Sequence, residues 1–348
     1  MEFIKQTLNI IDIFTTILLV YFVITGLCVL LDKNKIKQGN KKHRFAILIP
    51  ARNEAKVIGN LIKSLNKQEY PKELYDVYVI INNCKDNTKQ IAQENGAKII
   101  ECIKHISSKG TALRVAFAKL NDANYDAYLI FDADNIAHPK FIEKMNDALC
   151  EGYQLAQGFR DSKNPSDTWI SSSLSIHFLI HNIFLDKSRM NLGKPCFING
   201  TGFMISKSFL NKKGFKSHTM TEDIELTVRS ALDNEKIAFV ENAITYDEQV
   251  MTFRESWKQR KRWTIGTIQC LKYYFAKLLK KSIKNRSFAC IDSIVFLISP
   301  LTQFLGVISY ILHFIVAWGY GMSINYGIKI AGLIIRILSK CNTFYICC

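Results

Sequence analysis

The chain has 348 residues, 48% of them hydrophobic, and a formal net charge of +16 at pH 7. That length is sufficient for one large domain or two small ones, with apolar sequence to spare. The ten cysteines are scattered, and no pair has zinc-finger spacing. No nucleic-acid-binding motif accompanies the positive charge, so the composition argues against both a zinc-finger protein and a nucleic-acid partner.

The first element is an apolar run without a charged residue, at positions 13–31. A helix of that length, at about 1.5 Å per residue, reaches roughly 28 Å, which is about the thickness of a bilayer core. The run is too long for a cleavable signal peptide, and the lysine-rich "DKNKIKQGNKKHR" that follows is typical of a cytoplasmic flank. We therefore predict a transmembrane anchor within residues 1–37, with the following domain in the cytoplasm. A buried core helix is the alternative.

From about His43 to Tyr246, strand-like apolar runs alternate with helical patterns. The predicted strands are "FAILIP", "YDVYVII", "AKIIECI" and "AYLIFDA". The helices between and after them are "EAKVIGNLIKSLNKQ", "NTKQIAQEN", "TALRVAFAKLN" and "PKFIEKMNDALC". Four successive strand–helix units predict an α/β domain, here assigned to residues 38–250, with a mostly parallel sheet and helices on both faces. Ligands of such sheets bind at the carboxyl ends of the strands.

Two carboxylates, Asp132 and Asp134, follow the fourth predicted strand in "YLIFDADNIAHP". Two negative charges at one strand end repel each other unless a cation joins them, and oxygen ligands suit Mg²⁺ or Mn²⁺. Mg²⁺ in proteins typically combines one or two carboxylates with substrate phosphates. A polar turn after a strand is the alternative interpretation, because aspartate favours turns.

Polar residues follow the other predicted strands as well. "PARNEAKVIG" places Asn53 and Glu54 after the first strand, and "INNCKDNT" places Asn82, Asn83 and Asp86 after the second. Helix capping would explain part of this pattern. Lys109 in "SSKGT" stands at a helix start that favours anions such as a diphosphate, although a solvated loop lysine is the alternative.

Two motifs precede the basic part of the chain. In "TMTEDIELTVRSAL", Thr219 and Glu222 fit a capping box, whereas Asp223 is not needed for one. "QRKRW" places Gln259, Arg262 and Trp263 among cations, where the tryptophan could also act as an interfacial anchor.

Residues 251–287 are predicted to form basic interfacial helices. Between Arg254 and Arg286 there are eleven lysine or arginine residues and one acidic residue, Glu255. Interleaved apolar residues make this segment typical of a helix on an anionic membrane leaflet.

Residues 288–348 are assigned to a C-terminal transmembrane region, in which Pro300 should kink the first span. The weaker apolar stretch "GIKIAGLIIRIL" is either a second pass or an interfacial helix.

The motifs "PARNE", the Asp86 loop, "SKG", "DAD", "NGTGFMI", "TED" and "QRKRW", in this order, resemble those of the membrane-bound family 2 glycosyltransferases with the GT-A fold. That group includes poly-N-acetylglucosamine, chitin-oligosaccharide, hyaluronan and cellulose synthases. The resemblance extends from about residue 44 to residue 300. It implies a GT-A-like, Rossmann-type, mostly parallel sheet flanked by transmembrane and interfacial helices.

The resemblance also implies roles for individual residues. Asp223 is expected to be the general base, and Asp134 to bind the Mg²⁺ or Mn²⁺ on the donor diphosphate. The residues expected to bind the nucleotide-sugar are Asn53, Glu54, Asn82, Asp86, Lys109, Asp132 and Arg262. Those expected on the acceptor side are Gly200, Thr201, Gly202, Glu222, Gln259 and Trp263. The chain departs from the family at Asn82, where members often carry an acidic residue near the uracil, and in having one or two C-terminal spans rather than several.

The implied activity is inverting transfer of a sugar, from a UDP-sugar such as UDP-N-acetylglucosamine or UDP-glucose, to a growing glycan at the cell membrane. An α-linked donor would then give a β-linkage. A single transfer to a lipid carrier or glycolipid is the alternative within the enzyme class. A non-catalytic, polyanion-binding membrane scaffold is the alternative outside it. The expected partners are the donor, a glycan or lipid acceptor and membrane lipids, and a partner subunit is left open.

Overall fold

The computed structural model describes residues 2–31, 33–102, 106 and 108–319. Within them one sheet contains eight strands: β1 (Phe45–Ala51), β2 (Tyr75–Ile81), β3 (Lys98–Glu101), β4 (Ala127–Ile130), β5 (Ile136–Ala137), β6 (Leu155–Ser162), β7 (Phe203–Ser206) and β8 (Ile237–Asp247). The stretch "GIKIAGLIIRIL" and the cysteines at the C-terminus lie outside the described residues.

The helices lie between these strands and at both ends of the chain. They are α1 (Glu2–Leu27), α2 (Ile58–Leu65), α3 (Thr88–Glu94), α4 (Lys109–Lys119), α5 (Phe141–Cys150), α6 (Trp169–Ile180), α7 (Ser188–Asn191), α8 (Lys207–Lys213), α9 (Glu222–Asp233), α10 (Phe253–Asn285) and α11 (Phe288–Gly319). A π-helical turn, His181–Lys187, joins α6 to α7, and short 3-10 turns occur at Cys28–Leu31 and Lys72–Leu74.

The sheet has the strand order β3-β2-β1-β4-β7-β6-β8-β5. β1 pairs in parallel with β2 and β4, β2 with β3, and β6 with β8, whereas β7 is antiparallel to β4 and β6, and β5 is antiparallel to β8. The predicted mostly parallel α/β sheet is therefore confirmed. The chain order reverses direction between β1 and β4, which is the point where such sheets bind ligands.

The sheet is covered because its central strands are apolar on both faces. All seven positions of β1 are buried or nearly so, and β4 is buried throughout. α2 packs its apolar face on this sheet through Ile58, Leu61, Ile62 and Leu65. Continuous apolar runs are what a parallel strand covered by helices requires, and this packing holds the carboxyl ends of β1 and β4 side by side.

Among the described residues, two helical segments are long and apolar enough to cross a membrane: Gln6–Leu31, formed by α1 and the 3-10 turn after it, and Phe288–His313 in α11. They run antiparallel, with Tyr21 hydrogen-bonded to Asp292 at one level and Ser309 to Asp12 at another. Only 11% of the apolar window in the first segment is buried. That helix is therefore not the buried core helix considered as an alternative above, and it leaves a large apolar surface without cover.

Candidate active site

The loop after β4 is held rigidly by hydrogen bonds. The backbone N–H of Asp132 donates to Asn135 Oδ1 at 2.9 Å and to Thr201 Oγ1 at 3.0 Å. Asn135 Nδ2 in turn donates to the buried carboxylate of Asp247 at 3.0 Å. The two aspartates of the "DAD" motif thus stand on a hydrogen-bonded turn at the sheet edge, directly after the strand where the sequence predicted them.

Lys109 connects this loop to the opposite side of the cleft. Ser108 caps α4 by accepting a hydrogen bond from Thr111 N. The ammonium group of Lys109, the first residue of the helix, donates to Asp132 Oδ1 at 2.5 Å and to the carbonyl oxygen of Gly200 at 2.6 Å. Burial alone would lower the pKa of Lys109, but Asp132 and Glu222 outweigh it, so the net pKa is raised. The lysine therefore stays charged in the cleft, where it can neutralise an anionic ligand.

Asp134 has an unusual environment for a carboxylate. Its Oδ1 is buried and has no hydrogen-bond partner among the described residues. Burial, followed by the charges of Asp247 and Asp132, raises the pKa of Asp134 to about 7. Burial and Asp132 also raise the pKa of the neighbouring Glu54. A cation beside Asp134 would remove both the repulsion and the unsatisfied oxygen, and so this carboxylate suits a divalent metal whose other ligands come largely from a bound molecule and water.

Asp223 and Glu222 form the opposite wall, at the start of α9. A Cβ atom built on Gly200, whose φ is +82°, would lie 3.0 Å from Asp223 Oδ2, so this carboxylate stands directly over the glycine backbone. Burial raises the pKa of Asp223, although hydrogen bonding from Ile224 N and the charge of Lys109 oppose the shift. Burial likewise raises the pKa of Glu222 to about 7. Both carboxyl groups consequently have a greater proton affinity than in water.

The capping box considered for Thr219 and Glu222 is not formed. Instead Glu225, one turn into α9, accepts from His218 N at 2.7 Å, Thr219 N at 2.9 Å and Thr219 Oγ1 at 3.1 Å. Glu225 replaces Glu222 in this role because a tertiary contact holds it in place: it is fully buried and also accepts a hydrogen bond from Tyr274 of α10 at 2.6 Å. Glu222 is left to face Lys109 in the cleft.

The motif "QRKRW" lies in the second and third turns of α10, a single helix of 33 residues. Gln259, Arg262 and Trp263 all line the cleft. Trp263 packs edge-to-face on Phe178, with ring centroids 6.2 Å apart, and Gln259 Oε1 is buried without a hydrogen-bond partner among the described residues. This helix therefore covers the cleft with one cation, one aromatic ring and one unsatisfied amide.

The cleft has a volume of about 870 Å³. It brings together most of the predicted site residues: Glu54, Lys109, Asp132, Asp134, Gly200, Glu222, Asp223, Gln259, Arg262 and Trp263. A space of this size is typical of a substrate-sized ligand site. Positive groups stand beside buried acids, an arrangement that can bind a diphosphate and accept a proton from a hydroxyl.

Five of the predicted site residues do not line the cleft. Asn53 accepts from Lys85 N at 2.8 Å, and Asp86 accepts from Ala55 N at 3.1 Å, so the two join the loops after β1 and β2. Asn82 is buried and donates to Ile106 O at 2.9 Å, with its Oδ1 unsatisfied within the described residues. The other two residues, Thr201 and Gly202, lie behind the "DAD" loop, where Gly202 N donates to Ile130 O at 2.8 Å.

Other residues of the cleft were missed at the sequence level. Arg160 in β6 forms a buried ion pair with Asp247 at the end of β8, and its guanidinium lies 3.8 Å from the Phe178 ring centroid. Burial lowers the pKa of His177 to about 3, so that this imidazole is neutral. The cleft wall also includes His181 and, from the two apolar end helices, Phe22 and Phe296. In the sequence, the only signal for this ion pair was that Arg160 and Asp247 each interrupt a stretch typical of a strand.

A sequence profile described as "Glycosyltransferase like family 2" matches residues 43–266. The chain is 27% identical over 305 residues to the probable glycosyltransferase YdaM of Bacillus subtilis, covering 82% of this chain and 69% of that protein. It is also 27% identical over 248 residues to a beta-monoglucosyldiacylglycerol synthase of Nostoc sp., covering 69% of this chain and 52% of the synthase. The chain thus spans about half the length of that synthase.

Among solved structures, the mannosyltransferase PcManGT from Pyrobaculum calidifontis, determined with GDP-Man and Mn²⁺, aligns with a TM-score of 0.65. The alignment covers 97% of this chain and 98% of that one at 14% sequence identity, so it shows a shared fold.

Proposed function

Because the chain belongs to glycosyltransferase family 2, we propose that it is an inverting, metal-dependent enzyme that transfers a sugar from a nucleotide-sugar to an acceptor at a membrane. The observation that carries this proposal is the juxtaposition, in one cleft, of Lys109 with the "DAD" acids on one side and Asp223 over Gly200 on the other. The first set suits a diphosphate and its cation, and the second suits a reacting hydroxyl.

On the donor side, Asp134 would hold Mg²⁺ or Mn²⁺, and Asp132 would face the donor nucleotide. Within the described residues, no group of three or more His, Cys, Asp or Glu side chains could hold a metal alone. The diphosphate and water would therefore complete the ligand set, as is usual for Mg²⁺. A bound cation would stabilise the negative charge of the leaving diphosphate. Lys109 and Arg262 would bind the same diphosphate, and Asn82 and Asp86 would lie toward the nucleoside.

On the acceptor side, Asp223 would accept the proton of the attacking hydroxyl. A raised pKa improves a carboxylate as a base, because the best catalytic pKa lies near the working pH. Attack from the face opposite the diphosphate inverts the anomeric carbon, so an α-linked donor such as UDP-N-acetylglucosamine or UDP-glucose would give a β-linkage. Glu222, Gln259 and Trp263 would surround the acceptor.

The acceptor is proposed to be a growing glycan, as in the polysaccharide synthases that the motifs resemble. A specific observation favours a second candidate, a lipid: Phe22 of α1 and Phe296 of α11 form part of the cleft wall. One relative is a beta-monoglucosyldiacylglycerol synthase. Both candidates agree with residues 1–37 and 288–348 in the cell membrane, residues 38–250 as the cytoplasmic catalytic domain, and residues 251–287 on the leaflet.

The test compares two conservative variants in the purified membrane protein. Asp134→Asn should weaken Mn²⁺-dependent UDP binding together with sugar transfer. Asp223→Asn should keep UDP affinity within a few-fold while transfer falls by about 10² or more. UDP titration calorimetry with and without Mn²⁺ measures the first property, and mass spectrometry of products from a panel of nucleotide-sugars measures the second.

The matched control is Asp122→Asn, which changes an exposed aspartate hydrogen-bonded to its neighbour Asn121. It should behave like the parent in both assays. Transfer at the parental rate by Asp223→Asn would refute the base assignment. Failure of the parent itself to bind UDP with metal would remove the donor-site interpretation and would favour the scaffold alternative.

A further inference from the structure

The π-helical turn His181–Lys187 carries a histidine–aspartate pair in the cleft wall. The side chain of Asp186 is fully buried. It accepts hydrogen bonds from Phe197 N at 2.8 Å and from Asn199 Nδ2 at 3.1 Å, and it lies 3.0 Å from His181 Nδ1. π-Helical turns are rare and occur frequently at functional sites, and this one places an ionisable pair in the cleft wall.

The partners of Asp186 fix the protonation pattern of the histidine ring. A carboxylate only accepts hydrogen bonds, so His181 Nδ1 carries a hydrogen, and Nε2 is the ring nitrogen that can accept a hydrogen bond from a ligand. Nε2 lies on the side of the ring away from Asp186. His181 lines the cleft, and no described residue donates a hydrogen bond to that nitrogen. The wall therefore presents one well-oriented hydrogen-bond acceptor to whatever occupies the cleft.

The same carboxylate also positions the turn beneath the proposed base. Asn199, which donates to Asp186, directly precedes Gly200, and the Gly200 backbone lies under the Asp223 carboxylate. Phe197, whose N–H also donates to Asp186, stacks on Phe296 of α11 with ring centroids 4.2 Å apart. Asp186 thus ties His181, the Gly200 turn and the membrane-side aromatic wall into one unit.

We propose that His181 is an acceptor-binding residue, whose Nε2 accepts a hydrogen bond from a second hydroxyl on the molecule whose reacting hydroxyl faces Asp223. This inference rests on the proposed function and narrows its acceptor to a head group with two nearby hydroxyls, such as a glycosyl ring. A phosphate that is fully ionised has no hydrogen to donate to Nε2, and it would also face the acids Glu222 and Asp223. The proposal therefore predicts that the enzyme uses a head group with free hydroxyls in preference to a lipid phosphate.

The experiment uses the full-length protein in detergent with octyl β-D-glucopyranoside as the acceptor probe, and with undecaprenyl phosphate as the phosphate-bearing comparison. In His181→Asn the side-chain amide nitrogen takes the place of the ring Nδ1, so the buried hydrogen bond to Asp186 is preserved. The shorter side chain has no atom at the position of Nε2. The acceptor KM should rise about five- to tenfold, as expected for one lost neutral hydrogen bond. The donor KM and the slow hydrolysis of donor to water should stay within twofold. His181→Gln, whose longer side chain reaches the Nε2 position, should recover most of the loss.

His138→Asn is the matched control, because its ring accepts from Lys140 N outside the cleft, and its kinetics should equal those of the parent. If His181→Asn lowers hydrolysis and transfer to the same extent, the residue is structural and the proposal is wrong. Use of undecaprenyl phosphate in preference to the glucoside would also overturn it. A parent that transfers no sugar and hydrolyses no nucleotide-sugar would instead refute the proposed function, and this inference with it.

Discussion

At Gly266, three residues after Trp263, α10 packs directly against Thr221 of the "TED" motif. A Cβ atom at Gly266 would lie 2.3 Å from Thr221 Oγ1, 2.4 Å from its Cγ2 and 2.8 Å from its Cβ. Thr221 is buried and β-branched, and it immediately precedes Glu222 and Asp223. We therefore predict that Gly266→Ala separates the helix that covers the cleft from the proposed base.

The size of the effect follows from these distances. Ordinary van der Waals contact begins near 3.4 Å, so the two elements must move apart by about 1 Å. Overpacking of this kind costs about 1–3 kcal/mol, whereas alanine gains about 1 kcal/mol over glycine in a helix. The net loss of stability is therefore only about 0–2 kcal/mol. Misplacement of catalytic groups by about 1 Å can lower the rate on the order of 10²-fold, so activity should fall much more than stability.

Gly59→Ala is the matched control, because it also replaces a helical glycine but its Cβ would meet Ile91 and Asn95 at ordinary distances of 3.4 and 3.5 Å. Transfer rate at saturating donor, melting temperature and UDP affinity should be measured for both variants. Thr221→Ala combined with Gly266→Ala should restore part of the activity, since it removes the two nearest atoms. Parental activity in Gly266→Ala, or an equal loss in Gly59→Ala, would show that this contact does not position the cleft.

Three further outcomes are expected. In a peptide covering residues 271–286, charge reversal at the exposed Lys277, Lys280 and Lys284 should weaken binding to anionic vesicles by about 1 kcal/mol per charge removed. Unchanged binding would instead indicate that this face of the helix contacts protein. Cys84, which is partly exposed, should resist an impermeant thiol reagent in intact cells and react after permeabilisation, and labelling before it would reverse the proposed orientation. Asp292→Asn should lower the melting temperature by the equivalent of about 3–5 kcal/mol, because it leaves the buried Arg189 unpaired. Asp233→Asn, which breaks a more exposed pair, should cost about 1 kcal/mol or less, and equal shifts for the two would contradict this reasoning.

The first half of the fold could be predicted from the sequence because its signals are local. Each apolar run of β1, β2 and β4 is long enough to form a strand covered on both faces, and each is followed by a helical pattern. Parallel strands bring their carboxyl ends to one edge of the sheet, so the placement of Glu54 and Asp132 at the same edge follows from the strand–helix pattern. These predictions needed no knowledge of distant contacts.

The second half of the site could not be predicted in this way, because it depends on pairs far apart in the chain. Arg160 and Asp247 meet only because β6 and β8 are parallel neighbours, with Arg160 opposite Thr245. His181 gains its orientation from Asp186, through a π-helical turn that no periodic pattern indicates. Its relation to Gly200 then arises from the tertiary contact of Asp186 with Asn199.

The capping box predicted for Thr219 and Glu222 does not form, because the buried Glu225 makes tertiary contacts there instead. This arrangement affects how the site should respond to mutation. Because Glu225 accepts the hydrogen bond from Thr219 N that a capping box would have given to Glu222, Glu222 is available to Lys109, which also binds Asp132. One buried cation therefore interacts with both the donor-side and the acceptor-side acids. Groups that share a partner do not contribute independently. The double variant Asp132→Asn with Asp223→Asn should accordingly lose less transfer than the two single losses multiplied together, because each change removes a charge that Lys109 balances.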